Sequence, residues 1–229
     1  MYEIYLASEK DLALYKQFQI ASWGEEGCPD DSILLARLKR LKDCILVLKK
    51  HGEPIGIATT MLLDKYDTNY PKSWNEITSN GLCVNHSPKG RIVYGVDLSL
   101  MNTNQGVSLD ASSAILNAII QLCVAKKTKF VYFGGRLVSY SKYCQSYPDP
   151  NKYLFTKVGS RYIDPHVQMC SKVIGLKPIK VIPNYFEDPD SLNYGVLYQW
   201  ENPFLNISNT LDAVDLSFET SVKPTVSSQ

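Results

Sequence analysis

Between Tyr94 and Lys127 the chain reads as a strand, YGVDLSL, a turn, MNTNQGVSLD, and an amphipathic helix, ASSAILNAIIQLCVAKK. A strand that delivers a loop into a helix N-terminus makes an anion site, because unpaired backbone N–H groups and the positive end of the helix dipole converge there. Ser108 and Asp110 stand in this loop where a phosphate cradle favours small, uncharged glycines. A carboxylate and a phosphate about 4 Å apart repel by roughly 4 kcal/mol at an effective dielectric near 20, about a thousandfold in affinity. An Asp that caps its helix gains only about 1 kcal/mol.

The other chemistry-bearing residues are dispersed. His166, in Asp164-Pro165-His166, lies in a helix first turn that favours neutral imidazole, facing either an acceptor site or solvent. Arg136, after a double glycine, either grips a ligand carboxylate bidentately or pairs with an acid of the core. Tyr140, Tyr143, Tyr147 and Tyr153 share one long aromatic segment, which reads as a cover over an acceptor site or as a homodimer contact. No histidine pair and no cysteine spacing suits a metal.

The elements that position these residues follow from periodicity and punctuation. A strand near Tyr2–Ala7 leads to Ser8 as an N-cap, a helix through Asp11–Trp23 and a second over Ser32–Lys42. Cys44–Lys49 and Ile55–Leu63 read as a hairpin around His51-Gly52-Glu53-Pro54, and Arg91–Leu100 as the next strand. The helix Asp110–Lys127 runs into Phe130–Phe133, bounded by Gly134-Gly135, so these strands are parallel neighbours across a right-handed crossover. A helix starting at Asp164-Pro165 stops before Gly175, and Ile179–Ile182 and Tyr194–Trp200 are the last strands.

The chain has 229 residues, long enough for a substantial core, and its 24 basic and 23 acidic side chains form no basic block. That balance argues against nucleic acid and an anionic membrane as partners. The six cysteines are scattered, and four of them, inside apolar or periodic stretches, read as reduced core packing. No segment has the length of a membrane span and the N-terminus lacks the apolar run of a signal peptide, so a soluble, cytoplasmic protein is expected. Fifteen tyrosines against seven phenylalanines suit a partly wet groove.

The order of elements, together with SWNEITSNG at Ser73–Gly81, GVDLSL at Gly95–Leu100, GGRL at Gly134–Leu137, DPHV at Asp164–Val167, IPNY at Ile182–Tyr185 and YGVLYQWENP at Tyr194–Pro203, resembles the GNAT superfamily of acyl-CoA-dependent N-acyltransferases. The likeness is to a bacterial subgroup found alone or fused to a nitrilase-type hydrolase. It implies an α/β (α+β) domain over residues 1–204, with a mixed, mostly antiparallel sheet of about seven strands flanked by helices and one parallel βαβ unit. A loose tail follows at 205–229.

The resemblance also implies roles. The coenzyme A pyrophosphate would lie on Gln105, Gly106, Val107 and Ser108, in a loop whose pattern departs from the family at Ser108 and Asp110. Backbone N–H groups near Leu98 and Leu100 would polarise the thioester carbonyl as an oxyanion hole does. Asp97 and Tyr94 are the candidate general bases, and Ser171 stands where many members carry an acidic tyrosine. Arg136, Tyr140, Tyr143 and His166 would meet the acceptor. The implied reaction moves an acetyl or other small acyl group from a thioester, on coenzyme A or an acyl carrier protein, to the primary amine of a small molecule or peptide, without a metal. The alternative is a degenerate GNAT fold that binds or regulates without turnover.

Overall fold

The computed structural model describes residues 1–101, 109–173 and 175–205; the side chains of Leu109 and Val173 lie outside that description. The expected pyrophosphate residues Gln105, Gly106, Val107 and Ser108, and the tail beyond Leu205, therefore lie outside the described residues.

The chain opens with β1 (Tyr2–Leu6), α1 (Leu12–Gly27) and α2 (Asp31–Arg40). Ser8 and Asp11 brace the entry to α1, with the Ser8 amide donating to the Asp11 carboxylate at 2.8 Å. Strands β2 (Ile45–Lys50) and β3 (Glu53–Leu63) form the expected hairpin. Its two-residue turn, His51-Gly52, has φ of 54° and 85°, the paired left-handed conformation that matches strand twist. A short α3 (Trp74–Thr78) precedes β4 (Ile92–Leu100), α4 (Leu109–Ala125) and β5 (Phe130–Arg136). Then come α5 (Tyr140–Tyr143), α6 (Pro150–Phe155), the small hairpin β6 (Lys157–Val158) and β7 (Arg161–Tyr162), α7 (Pro165–Val173), β8 (Lys177–Ile182) and β9 (Gly195–Glu201).

Among the described residues, seven strands join one sheet in the order β1-β2-β3-β4-β5-β9-β8. Only β4 and β5 pair in parallel; the other pairings are antiparallel. This is the mixed α/β sheet with one βαβ unit. Helix α4 buries Ala111, Ile115, Leu116, Ala118, Ile119, Leu122 and Cys123, a stripe at helical spacing. These join Leu48, Ile57, Met61 and Val93 from the strands in the main core.

Two differences from the sequence reading matter for the site. First, β5 does not end at Gly134-Gly135 but runs through both to Arg136, paired with β9 throughout. Second, β4 carries an extra residue: Thr60 faces Gly95 and Thr59 faces Asp97, leaving Val96 as a bulge. The Val96 carbonyl accepts from the Trp74 indole at 2.8 Å.

A second core explains the tyrosine segment. Leu137, Tyr140, Tyr153, Leu154, Val167, Leu176, Val196 and Tyr198 pack together beneath α5, α6 and α7. Tyr140 is 2 % exposed and its hydroxyl donates to the Tyr147 and Pro148 carbonyls at 3.1 Å. Tyr143 stacks on Tyr153 with ring centres 5.6 Å apart. The segment is a packed layer of its own, because each phenol finds a backbone or ring partner within it.

Candidate active site

The parallel pairing of β4 with β5 ends at Gly95 and Phe133. Beyond it β4 stays on β3 as far as Leu100, and β5 stays on β9 as far as Arg136. The two strands diverge, and their facing backbones go unpaired between them. The Met101 amide donates to Ile55 of β3 at 2.9 Å. By antiparallel alternation the N–H groups of Leu98 and Leu100 face away from β3, into the splay. A cavity of about 490 Å³ opens there, between Asp97 and Leu98 on one limb and Gly134, Gly135 and Arg136 on the other. That is the size of a small-ligand site.

Asp97 dominates the β4 limb. Its carboxylate accepts from the Trp23 indole at 3.1 Å, from the Gln19 amide, and from the Ser99 hydroxyl at 3.4 Å. Behind it lies Arg37, 1 % exposed, which donates to the Gly81 carbonyl at 2.6 Å and the Tyr15 hydroxyl at 3.3 Å. Burial raises the Asp97 carboxyl above the ordinary carboxylate range, and the Gln19, Arg37 and Trp23 contacts only partly offset it. The group is a stronger base than a surface aspartate. Trp23, Trp74 and Phe186 pack around the same wall, with Trp23 and Phe186 ring centres 5.8 Å apart and Trp74 and Phe186 6.1 Å apart.

The opposite wall is built by α7. Asp164 caps the helix as the sequence predicts, accepting from the His166 and Val167 amides at 3.0 Å. Its other oxygen accepts from the Ser139 amide at 3.2 Å and the Tyr153 hydroxyl at 3.3 Å, tying α7 to the tyrosine layer. His166 and Cys170, one turn apart, both line the cavity. Burial holds the His166 imidazole below its usual range, hence neutral.

Two rings pack closely against bare β5 backbone. A Cβ at Gly134 would sit 1.9 Å from the Tyr185 hydroxyl, and one at Gly135 would sit 2.6 Å from His166 Cε1. Gly134→Ala is expected to destabilise the protein by about 1–3 kcal/mol, the usual effect of overpacking, because buried Tyr185 has nowhere to withdraw. Chemical denaturation measures it, and an unchanged midpoint refutes the close packing.

The structure thus gathers Asp97, Leu98, Arg136 and His166 around one cavity, with unforeseen Gln19, Trp23, Trp74, Cys170, Tyr185 and Tyr198. The four-residue spacing of His166 and Cys170 was a readable signal; the others depend on tertiary placement. Arg136 lies 3.2 Å from Asp188, so of its two sequence readings the structure gives the pairing with a core acid. Tyr94 does not line the cavity: it is fully buried, its hydroxyl is 3.5 Å from that of Tyr185, and burial raises its phenol well above the ordinary value. Buried, and with its phenol kept protonated, it has neither the access nor the free phenolate that a general base needs. Leu100 reaches the splay through its backbone alone, its side chain lying against Gly56. Tyr140 belongs to the second core rather than to an acceptor cover, whereas Tyr143 is 42 % exposed and stacks on Tyr153 at the edge of that core. Asp110 is exposed in the first turn of α4, where its charge suits the helix dipole. Among the described residues no cluster of three or more His, Cys, Asp or Glu is arranged for a metal ion, and no helix is long and apolar enough to cross a membrane.

No family model matches the chain. It is 30% identical over 171 residues to the uncharacterized N-acetyltransferase YkwB of Bacillus subtilis, covering 75% of this chain and 74% of that one. It is 25% identical over 172 residues to the probable hydrolase YhcX of the same organism, a match to 74% of this chain and 32% of the relative. Among solved structures, the loading GNATL domain of CurA from Lyngbya majuscula superposes with a TM-score of 0.72 at 18% identity, covering 88% of this chain and 98% of that one. The GphF GNAT-like decarboxylase, in complex with isobutyryl-CoA, superposes with a TM-score of 0.66 at 17% identity, covering 87% and 99%. With the splayed parallel pair in place and the identity to YkwB extending over three quarters of the chain, the protein belongs to the GNAT N-acetyltransferase superfamily.

Proposed function

We propose that the protein transfers an acetyl or other small acyl group from an acyl thioester to the primary amine of a small molecule or peptide. The reading rests on Asp97, a half-buried carboxylate of raised pKa held by three donors at the edge of the splay. The N–H groups of Leu98 and Leu100 suit the thioester carbonyl and the oxyanion it becomes. The amine nitrogen attacks that carbon, the C–S bond breaks, Asp97 takes the amine proton and returns it to solvent, and the sulfur leaves as a thiolate that is protonated from solvent. The thioester carrier is coenzyme A or an acyl carrier protein. The six cysteines, none in a disulfide, suit a reducing compartment such as the cytoplasm.

A second reading, binding without turnover, is favoured by Asp110 in the first turn of α4, where a pyrophosphate would meet its charge. Thermal stabilisation by acetyl-CoA separates the two. At 100 times its dissociation constant a ligand adds about 2.7 kcal/mol, a rise of roughly 5–10 °C for a chain of this size. A shift in the wild type with acetyl-CoA-dependent thiol release on adding amines supports transfer; a shift in Asp110→Gly alone identifies that acid as the obstacle. No shift and no product in either protein overturns the proposal.

A further inference from the structure

The proposed transfer uses only the β4 limb of the cavity and leaves a second set of reactive groups idle on the other. Cys170 Sγ lies 3.7 Å from His166 Nε2, and His166 Nδ1 lies 3.4 Å from the Tyr198 hydroxyl. A nucleophile in reach of a base, with a third group orienting the base, is the arrangement that covalent catalysis requires. Its position points the same way, because the His166 ring lies directly on Gly135, a residue of the splayed limb that would flank the thioester. Cys170 and His166 are four residues apart on α7, so one helix face presents both to the cavity.

We propose that Cys170 accepts the acyl group from the donor thioester, with His166 as its base, before the group passes to the amine. This rests on the acyl-thioester reading above. In the first step the Cys170 sulfur bonds to the carbonyl carbon, its proton moves to His166 Nε2, the donor C–S bond breaks, and the departing thiolate takes the proton from His166. One thioester replaces another, so no oxidant, reductant or further reagent is needed. In the second step the amine attacks the acyl-cysteine, the acyl C–S bond breaks, Asp97 takes the amine proton and passes it to solvent, and the Cys170 thiolate takes a proton that reaches it from solvent through His166.

Burial pushes the Cys170 thiol up to about 12 and keeps the imidazole neutral, so the pair rests as thiol and free base rather than as an ion pair. The thiol proton must therefore pass to His166 as the sulfur attacks.

The test is rapid acid quenching of the protein with acetyl-CoA and no amine, followed by intact mass and peptide mapping. One acetyl group on Cys170, removed by hydroxylamine and absent from Cys170→Ser, is the expected result. His166→Asn should form it about 10²–10⁴-fold more slowly, with melting curves confirming that both variants fold. The proposal is overturned if wild-type protein is stabilised by acetyl-CoA and acylates amines while the quench traps no acyl-enzyme and Cys170→Ser keeps its turnover; amine transfer itself then survives. If acetyl-CoA neither stabilises nor acylates the wild type or Asp110→Gly, both readings fall.

Discussion

Asp97→Asn is expected to lower kcat/KM for amine acylation by about 10²–10⁴-fold, the range a positioned general base supplies. Asparagine keeps the shape and one acceptor oxygen for the Trp23 indole. It puts an amide where the carboxylate took the Gln19 and Ser99 protons, and it cannot accept a proton from the amine. Binding of the thioester, which the backbone of the splay serves, should change little. The wild-type rate should fall as pH drops through the Asp97 pKa, at a pH above the ordinary carboxylate range because burial raises it. The Asn variant should lack that limb.

Stability gives a second readout with a definite sign. The folded state binds the Asp97 proton more tightly than the unfolded chain does, so its contribution is fully present below the unfolded pKa and is lost as pH rises through the folded one. Asn titrates nowhere. The variant should therefore gain on the wild type as pH rises through that window. Near-normal turnover at neutral pH would remove Asp97 from the mechanism.

Asp164→Ala should be the most damaging single change to stability among the polar groups of the site. It removes the cap on α7, worth about 0.5–2 kcal/mol. It also strands two further donors, the Ser139 amide and the Tyr153 hydroxyl, and an unsatisfied buried donor costs roughly 1–3 kcal/mol. A total of about 3 kcal/mol corresponds to a melting point lower by roughly 6–12 °C for a chain of this length. Asp164→Asn, which retains a capping oxygen, should lose much less. Equal melting points for the Ala variant and the wild type would show that the cap does not hold the helix.

Where a few neighbouring residues decide the outcome, the sequence was legible. The His51-Gly52 turn, the Asp164-Pro165 helix start and the strand–helix–strand unit through Phe130 all follow from local chemistry, and the structure has them. Asp97 and His166 also fell into one site, although 69 positions separate them in the chain. What was hidden depends on distant partners. The Gln19 and Trp23 donors to Asp97 lie 78 and 74 residues away, and nothing local to α1 marks them. Gly134-Gly135 looked like the end of a strand because glycine punctuates chains, yet here it makes room for the Tyr185 and His166 rings. Tyr94, placed at the chemistry by the family resemblance, and Tyr140, by its long aromatic segment, are both core residues.

Val96, the one residue that β4 has and β3 cannot match, has a wider effect than its size suggests. In a regular strand Tyr94 and Asp97 would point to opposite faces. With the bulge, Tyr94 meets Tyr185 while Asp97 meets Trp23, which packs on the adjoining Phe186. The strand has in effect a reading frame, and the bulge shifts it by one place. Moved a single residue onward, the same bulge would leave the sequence, the sheet order and the core composition intact while turning the acid to the face opposite α1. Aligned positions in related chains therefore carry the same role only when the frame of this strand is shared as well as the residue.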